Sequence, residues 1–134
     1  MKIKTSELTN IPLRYAVAIA EGGKDFRYKG CRTYWITIND EERVLSAGEA
    51  HSFVPDIRWT QGGPIIERER IKVAPNLGGT WLGQIRHETT HPLVDKPVLA
   101  GWTNKHGPTP LIAAMRCYVA SISGDEIEVP DELL

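Results

Sequence analysis

Five consecutive residues, His87-Glu88-Thr89-Thr90-His91, spell the H-E-x-x-H pattern of zinc proteases. That chemistry needs both histidines on one helical face and a glutamate beside the metal-bound water. The local sequence resists such a helix. Thr89 and Thr90 are β-branched, Pro92 follows directly, and Trp81–Ile85 just upstream reads as a strand. Proline also disfavours the α conformation of the residue before it. His106 and Glu126 follow no persuasive spacing as third ligands. The expected reading is a polar loop between strands, with His87 and His91 holding no metal.

Other catalytic sets are weaker. Cys31 and Cys117 stand far apart, outside any nucleophile or metal signature, and read as reduced thiols. Cys117 falls near the apolar face of a C-terminal helix, where a structural cysteine is the commoner case. Neither a Walker spacing nor a dinucleotide fingerprint occurs. Glu67 and Glu69 alternate with Arg68 and Arg70, as in a solvated ion-pair face. The expectation is therefore a protein that is not an enzyme and needs no cofactor.

What remains is a set of aromatic, basic and amide groups. Trp59, Trp81 and Trp102 are flat surfaces on which a base can stack for about 1–3 kcal/mol. Arg68, Arg70 and Arg116 carry paired donors suited to phosphate. Backbone N–H groups at Gly62-Gly63, or at a helix start near Thr109, could hold an anion. Gln61 sits beside those glycines, and Asn104, Lys105 and His106 stand just before the second helix. The expected ligand site thus comprises Trp59, Gln61, Gly62, Gly63, Arg68, Arg70, Trp102, His106, Thr109 and Arg116. The competing reading of each residue is plainer: tryptophans in a core or subunit interface, arginines in water.

The elements that must position these groups follow from patterning. The 134 residues suit one domain, 1–134, burying roughly two-thirds of its unfolded surface. An apolar fraction of 41% and a charged fraction of 25% are those of a soluble globular chain. Sixteen basic and 17 acidic residues leave a net charge of −1, which argues against broad nucleic-acid binding. No apolar run approaches the roughly 20 residues of a membrane span, and the first residues lack a signal-peptide core.

Thr9 or Asn10 would cap a helix over about Ile11–Glu21, with Leu13, Val17 and Ala20 on one face and Gly22-Gly23 as its stop. Arg32–Ile38 reads as a strand, Asn39-Asp40 as a turn and Arg43–Ser46 as the return. Pro55-Asp56 would open a helical turn through Trp59. Because interior proline costs about 3 kcal/mol, a break is expected at Gly62-Gly63, with a fresh turn from Pro64. Short strands are expected at Ile71–Val73, Trp81–Ile85 and Val98–Trp102. Gly107-Pro108-Thr109-Pro110 supplies a turn, a cap and a proline at the first helical position. Leu111, Met115, Tyr118 and Ile122 then mark an apolar face, and Gly124 ends the helix. Asp125–Leu134 reads as an acidic tail. The expected fold is α+β: a small, mainly antiparallel sheet with an N-terminal and a C-terminal helix packed on it.

Three stretches resemble the NinX-like family of small phage proteins, a family of unknown function. They are Trp59-Thr60-Gln61-Gly62-Gly63-Pro64-Ile65-Ile66-Glu67-Arg68-Glu69-Arg70-Ile71; Gly107–Ser121 followed by Gly124-Asp125-Glu126; and Lys2–Leu8 with Tyr15-Ala16-Val17-Ala18. Ala74–Trp102 carries no motif of that kind. The resemblance implies a protein made in the cytoplasm of an infected host bacterium and brings no activity with it. By analogy with small accessory phage proteins, the favoured function is capture of a small anionic, nucleotide-like ligand, such as an immune signal. The alternative is a module that inhibits or redirects a host protein; a third reading is a metal-dependent hydrolase using His87 and His91. A chain this short is expected to complete an enclosed pocket as a homo-oligomer.

Overall fold

The structure is a computed structural model describing residues 1–31 and 33–134. It is α+β, as expected, but the strands form three small antiparallel sheets instead of one. β1 (Lys2–Lys4) leads through a 3-10 turn at Thr5–Glu7 into α1 (Asn10–Ala20), with Thr9 as its N-cap. The helix ends as anticipated. Gly22 N–H donates to Ile19 O and Gly23 N–H to Ala18 O, closing both terminal carbonyls.

β2 (Lys24–Tyr28), β3 (Tyr34–Ile38) and β4 (Glu41–Val44) form the first three-stranded sheet. Arg32, where the strand was expected to begin, lies outside the described residues. The return strand starts two residues earlier than expected because Asn39 and Asp40 both take positive φ, at 51° and 65°. They make a two-residue hairpin turn that pairs Ile38 with Glu41 at once. Tyr34, Ile36 and Ile38 point to the core.

α2 (Trp59–Glu69) runs unbroken through Gly62, Gly63 and Pro64, so the expected break is overturned. Tertiary contact outweighs proline's local cost. The backbone of Pro55 and the side chain of Leu111 close on Gly62 so tightly that a Cβ there would stand 2.4 Å from Pro55 O. The expected turn forms at 55–57, where Ile57 and Arg58 N–H donate to Val54 O, but it stops before Trp59, and Arg58, not Asp56, is the N-cap of α2. The Asp56 carboxylate instead accepts from Arg14 Nε at 2.8 Å in the interior, and Arg14 Nη1 donates to Leu45 O. A buried pair of this kind satisfies both charges at once.

β5 (Lys72–Pro75), β6 (Trp81–Thr90) and β7 (Pro97–Gly107) make the second three-stranded sheet, with β6 central. The last two are much longer than the sequence suggests. α3 (Pro110–Ser123) crosses the inner side of this sheet, with Thr109 capping it as read. Thr109 Oγ1 accepts from Ile112 N–H at 3.1 Å. Contact is backbone to backbone: a Cβ on Gly83 would lie 2.5 Å from Ala113 O, and one on Gly107 2.7 Å from Ala113 N. Leu111, Met115 and Tyr118 are buried as expected, but Ile122 is more than half exposed. The tail is structured rather than free. β8 (Glu126–Glu128) pairs with β1, and Val129 and Leu133 are buried. One apolar cluster joins α1, β3 and α3 to Ile65, Ile71 and Ile85.

Candidate functional site

With α3 covering the inner side of β5, β6 and β7, alternate residues of those strands must face outward. Lys72, Gln84, Arg86, Trp102, Asn104 and His106 do so; Gln84 is half-buried and the other five are exposed. The register puts Arg86 opposite Trp102, and Gln84 between Lys72 and Asn104. Gln84 Nε2 donates to Asn104 Oδ1 at 2.7 Å, while Arg86 Nε pairs with Glu88 Oε1 at 3.1 Å. Trp102 is 48% exposed. Arg70, Lys72, Gln84, Arg86, Glu88 and Trp102 line a hollow of about 370 Å³, within the range of small-ligand sites, while Asn104 and His106 stand beside a neighbouring cleft.

Arg70 reaches this hollow from the C-cap of α2, in the left-handed region at φ 54°, ψ 48°. Five of the seven non-glycine residues with positive φ among those described are Asn or Asp, which tolerate it. Arg70 does not share that tolerance, and holding it there costs on the order of 1–2 kcal/mol. The cost places a guanidinium at the mouth of the hollow beside Lys72.

The remaining expected ligand residues divide among other places. Trp59 and Thr109 line a separate cleft of about 270 Å³ with Pro110, Leu111 and Ile112. His106 and Arg116 line a third, of about 420 Å³, around Gly107 and Pro108. The two Gly/Pro elbows do meet, at Gly62 and Leu111, but as a packed contact instead of an open cleft. Gln61 is spent on the fold. Its Oε1 accepts from Val54 N–H at 2.6 Å and its Nε2 donates to Ser52 O at 2.9 Å. Gly63 lies beside the Trp59 ring.

Anion binding by backbone N–H groups at the elbows is not what the geometry provides. Gly62 N–H already donates to Arg58 O inside α2. At the start of α3, Pro110 has no N–H, Thr109 Oγ1 takes Ile112 N–H, and Thr109 O takes Ala113 N–H. With those donors taken, the turn has too few left to cradle a phosphate. Arg116 anchors the chain: its Nε donates to Leu8 O at 2.7 Å and its Nη1 to His106 O at 3.0 Å. Burial lowers its pKa, which still leaves a guanidinium charged.

Arg68 is also engaged elsewhere. Its two terminal nitrogens donate to both oxygens of Glu21, and one also reaches the Tyr118 hydroxyl. Tyr118 donates to Glu21 Oε2 at 2.6 Å. Burial acts to raise the Glu21 carboxyl, but the hydrogen bonds from Arg68 and Tyr118 outweigh it and pull it below its usual value. The Glu21 bond raises the Arg68 pKa further. Burial first, and Glu21 second, push the Tyr118 phenol up. This trio ties α2 to α1 and α3.

His87-Glu88-Thr89-Thr90 lies in β6 rather than in a loop, and not in a helix. Residues four apart on a strand stand about 13 Å apart, too far to share one metal. His87 Nε2 bonds Thr103 Oγ1 at 2.6 Å, and His91 Nδ1 accepts from Leu93 N–H. Among the described residues no three His, Cys, Asp or Glu side chains gather as a metal requires. Cys117 is buried with its thiol on Thr103 O, and burial pushes that thiol up to about 12.

Lys72, Gln84 and Arg86 were missed by the sequence reading. The signal was present as alternation in Lys72-Val73-Ala74, Gln84-Ile85-Arg86 and Trp102-Thr103-Asn104-Lys105-His106, once β6 and β7 are read at full length.

A family model described as "Bacteriophage P22, NinX" matches residues 4–122, nearly the whole chain. The protein belongs to that phage family. The match runs through Ala74–Trp102, where no motif was legible, and so takes in the whole of the outward face. No curated protein matches the chain. For a NinX-family protein, no helix among the described residues is long and apolar enough to cross a membrane.

Proposed function

We propose that this NinX-family protein is a non-enzymatic phage accessory protein that captures a small anionic, nucleotide-like ligand on the open face of β5, β6 and β7. The observation that carries the reading is Trp102, half exposed directly across from Arg86, with Arg70 and Lys72 at the same hollow. An indole face accepts any base, and Arg70, Lys72 and Arg86 beside it keep the hollow net positive for phosphate even with Glu88 paired to Arg86. Acting in the host cytoplasm, such a protein would serve as a sponge for a nucleotide signal of bacterial immunity. Only Arg70 and Trp102 of the ten expected ligand residues belong to this hollow.

Calorimetry against cyclic and ADP-ribose-type nucleotides tests the proposal. Trp102→Ala should weaken binding by about 5- to 150-fold, the equivalent of one stacked base, without unfolding the chain. Mass spectrometry of the ligand released on heating should find it unchanged, since a sponge breaks no bond. Absence of heat across the panel overturns the proposal.

A second reading, a module that binds a host protein, draws on the tip of the β6–β7 hairpin. Leu93 is 88% exposed there, with Val94 and Leu99 also exposed, and clustered apolar side chains of that kind make contact hot spots. A stoichiometric protein partner in host lysate, lost with Leu93→Ser, would favour it. A homo-oligomer built over the exposed Trp59 belongs with either reading, and sedimentation of the purified protein tests it.

A further inference from the structure

We infer that the ligand of this face is a single-stranded nucleotide chain about three units long, with one base seated on each outward row of β7. The inference rests on the nucleotide reading above and goes on to set the length of what is bound. Three outward side chains follow one another on the same strand, Trp102, Asn104 and His106, and all three are exposed. Side chains at i and i+2 stand about 6.6 Å apart, twice the strand rise. An extended sugar–phosphate backbone advances by a similar step from one base to the next. The rows differ in chemistry but each has a surface for a base: the indole of Trp102, the amide pair of Gln84 and Asn104, and the imidazole of His106.

The amide pair is already formed, with Gln84 Nε2 on Asn104 Oδ1. It leaves one amide acceptor and the other amide's donors unused, a combination that meets the edge of an unpaired base. Charge lies to one side of this track. Arg70, Lys72 and Arg86 face the hollow beside the Trp102 and Asn104 rows, and Glu88, paired with Arg86, leaves a net charge of about two cations for the phosphates there. The track also has an end. Past His106 the strand turns inward at Gly107, which is buried against Ala113, and Pro108 starts the turn into α3. A base beyond His106 would have no row to sit on, and before Trp102 the next residue paired across to the hollow is the aliphatic Leu99, which offers no ring or amide to a base. A duplex is excluded because its bases are stacked on one another and offer no free faces.

The test is a length series of single-stranded 5′-phosphorylated adenylates of one, two, three and six units, titrated by calorimetry, with a self-complementary duplex as control. Affinity should climb by roughly 5-fold or more with each added base up to three and stay nearly level from three to six. The logarithm of the trimer's binding constant should fall with the logarithm of salt at a slope of about −1.4, roughly 0.7 for each of two phosphates neutralised. His106→Ala should bring the trimer down to the affinity of the dimer and leave the dimer untouched; circular dichroism checks that the variant is folded. Equal binding of monomer and trimer, both lost with Trp102→Ala, would overturn this inference and leave the nucleotide site standing. A steep climb continuing from three to six overturns it as well, as does duplex binding as tight as the single strand. Silence from every length overturns this inference, while the nucleotide reading stands or falls with the cyclic and ADP-ribose-type panel.

Discussion

Gln61 is where a ligand role and a structural role make opposite predictions. A wall residue of a pocket can be truncated with little effect on stability, whereas a clamp cannot. Its side chain holds the loop before α2 at two points, accepting from Val54 N–H at 2.6 Å and donating to Ser52 O at 2.9 Å. Val54 and Ser52 are themselves buried. Gln61→Ala removes two hydrogen bonds worth about 1 kcal/mol each. It also strands the Val54 N–H away from water, for about 1 kcal/mol more. Alanine's better helix propensity returns less than about 0.5 kcal/mol. The net loss is therefore about 2–3 kcal/mol. For a chain of this size that corresponds to a melting point lower by roughly 6–15 °C. Urea unfolding of wild type and variant, followed by circular dichroism, should show the midpoint falling with an unchanged slope. Gln61→Glu should be no better, since it keeps the acceptor for Val54 but sets a carboxylate against Ser52 O. A change smaller than about 0.5 kcal/mol for Gln61→Ala, the scatter of ordinary surface substitutions, would refute the clamp and return Gln61 to the pocket.

Gly62→Ala should destabilise by about 1–3 kcal/mol despite alanine's helix preference, because the new methyl meets Pro55 O and Leu111 and forces α2 off α3; thermal melts measure it. The Glu21 carboxyl titrates below its ordinary value in the folded protein. Its contribution to stability is thus complete above the unfolded value of 4.5 and is lost as pH falls through the lower folded one. Glu21→Gln should flatten that acid limb and cost about 1 kcal/mol at neutral pH, a figure kept small because Arg68 is half exposed. Iodoacetamide at pH 8 should alkylate Cys31, which is exposed, and leave Cys117 intact until denaturant is added. Burial holds the Cys117 thiol near 12, so almost no thiolate forms.

Local patterning carried far where a residue's own chemistry settles its backbone. The N-cap at Thr109, the stop at Gly22-Gly23, the turn at Asn39-Asp40 and the rejection of a helix at His87–His91 all needed only neighbours in sequence. The α+β class followed from the same signals, and so did the phage family through its motifs at Trp59–Ile71 and Gly107–Ser121. Periodicity misled where two strands met at a distance. β6 and β7 extend to ten and eleven residues because each satisfies the other's backbone across the hairpin, a partner no window along the chain can see.

The candidate site shows the same division. Which side chains carry a flat ring or a fixed charge is written in the residues, and Trp102 and Arg70 could be picked out on that ground. Which of them share a surface was decided by α3 and by the C-cap of α2. By pressing its backbone onto Gly83 and Gly107, α3 hides one side of the sheet and leaves the other bare. Long-range contact also overruled proline's local cost at Pro64, because the fit of Gly62 against Pro55 and Leu111 holds the helix through it. It likewise engaged Arg68, Gln61 and Arg116 in bonds to partners 47, 9 and 108 positions away. A side chain's donors can be counted from its type, but the atoms that engage them are known only once the chain has closed on itself.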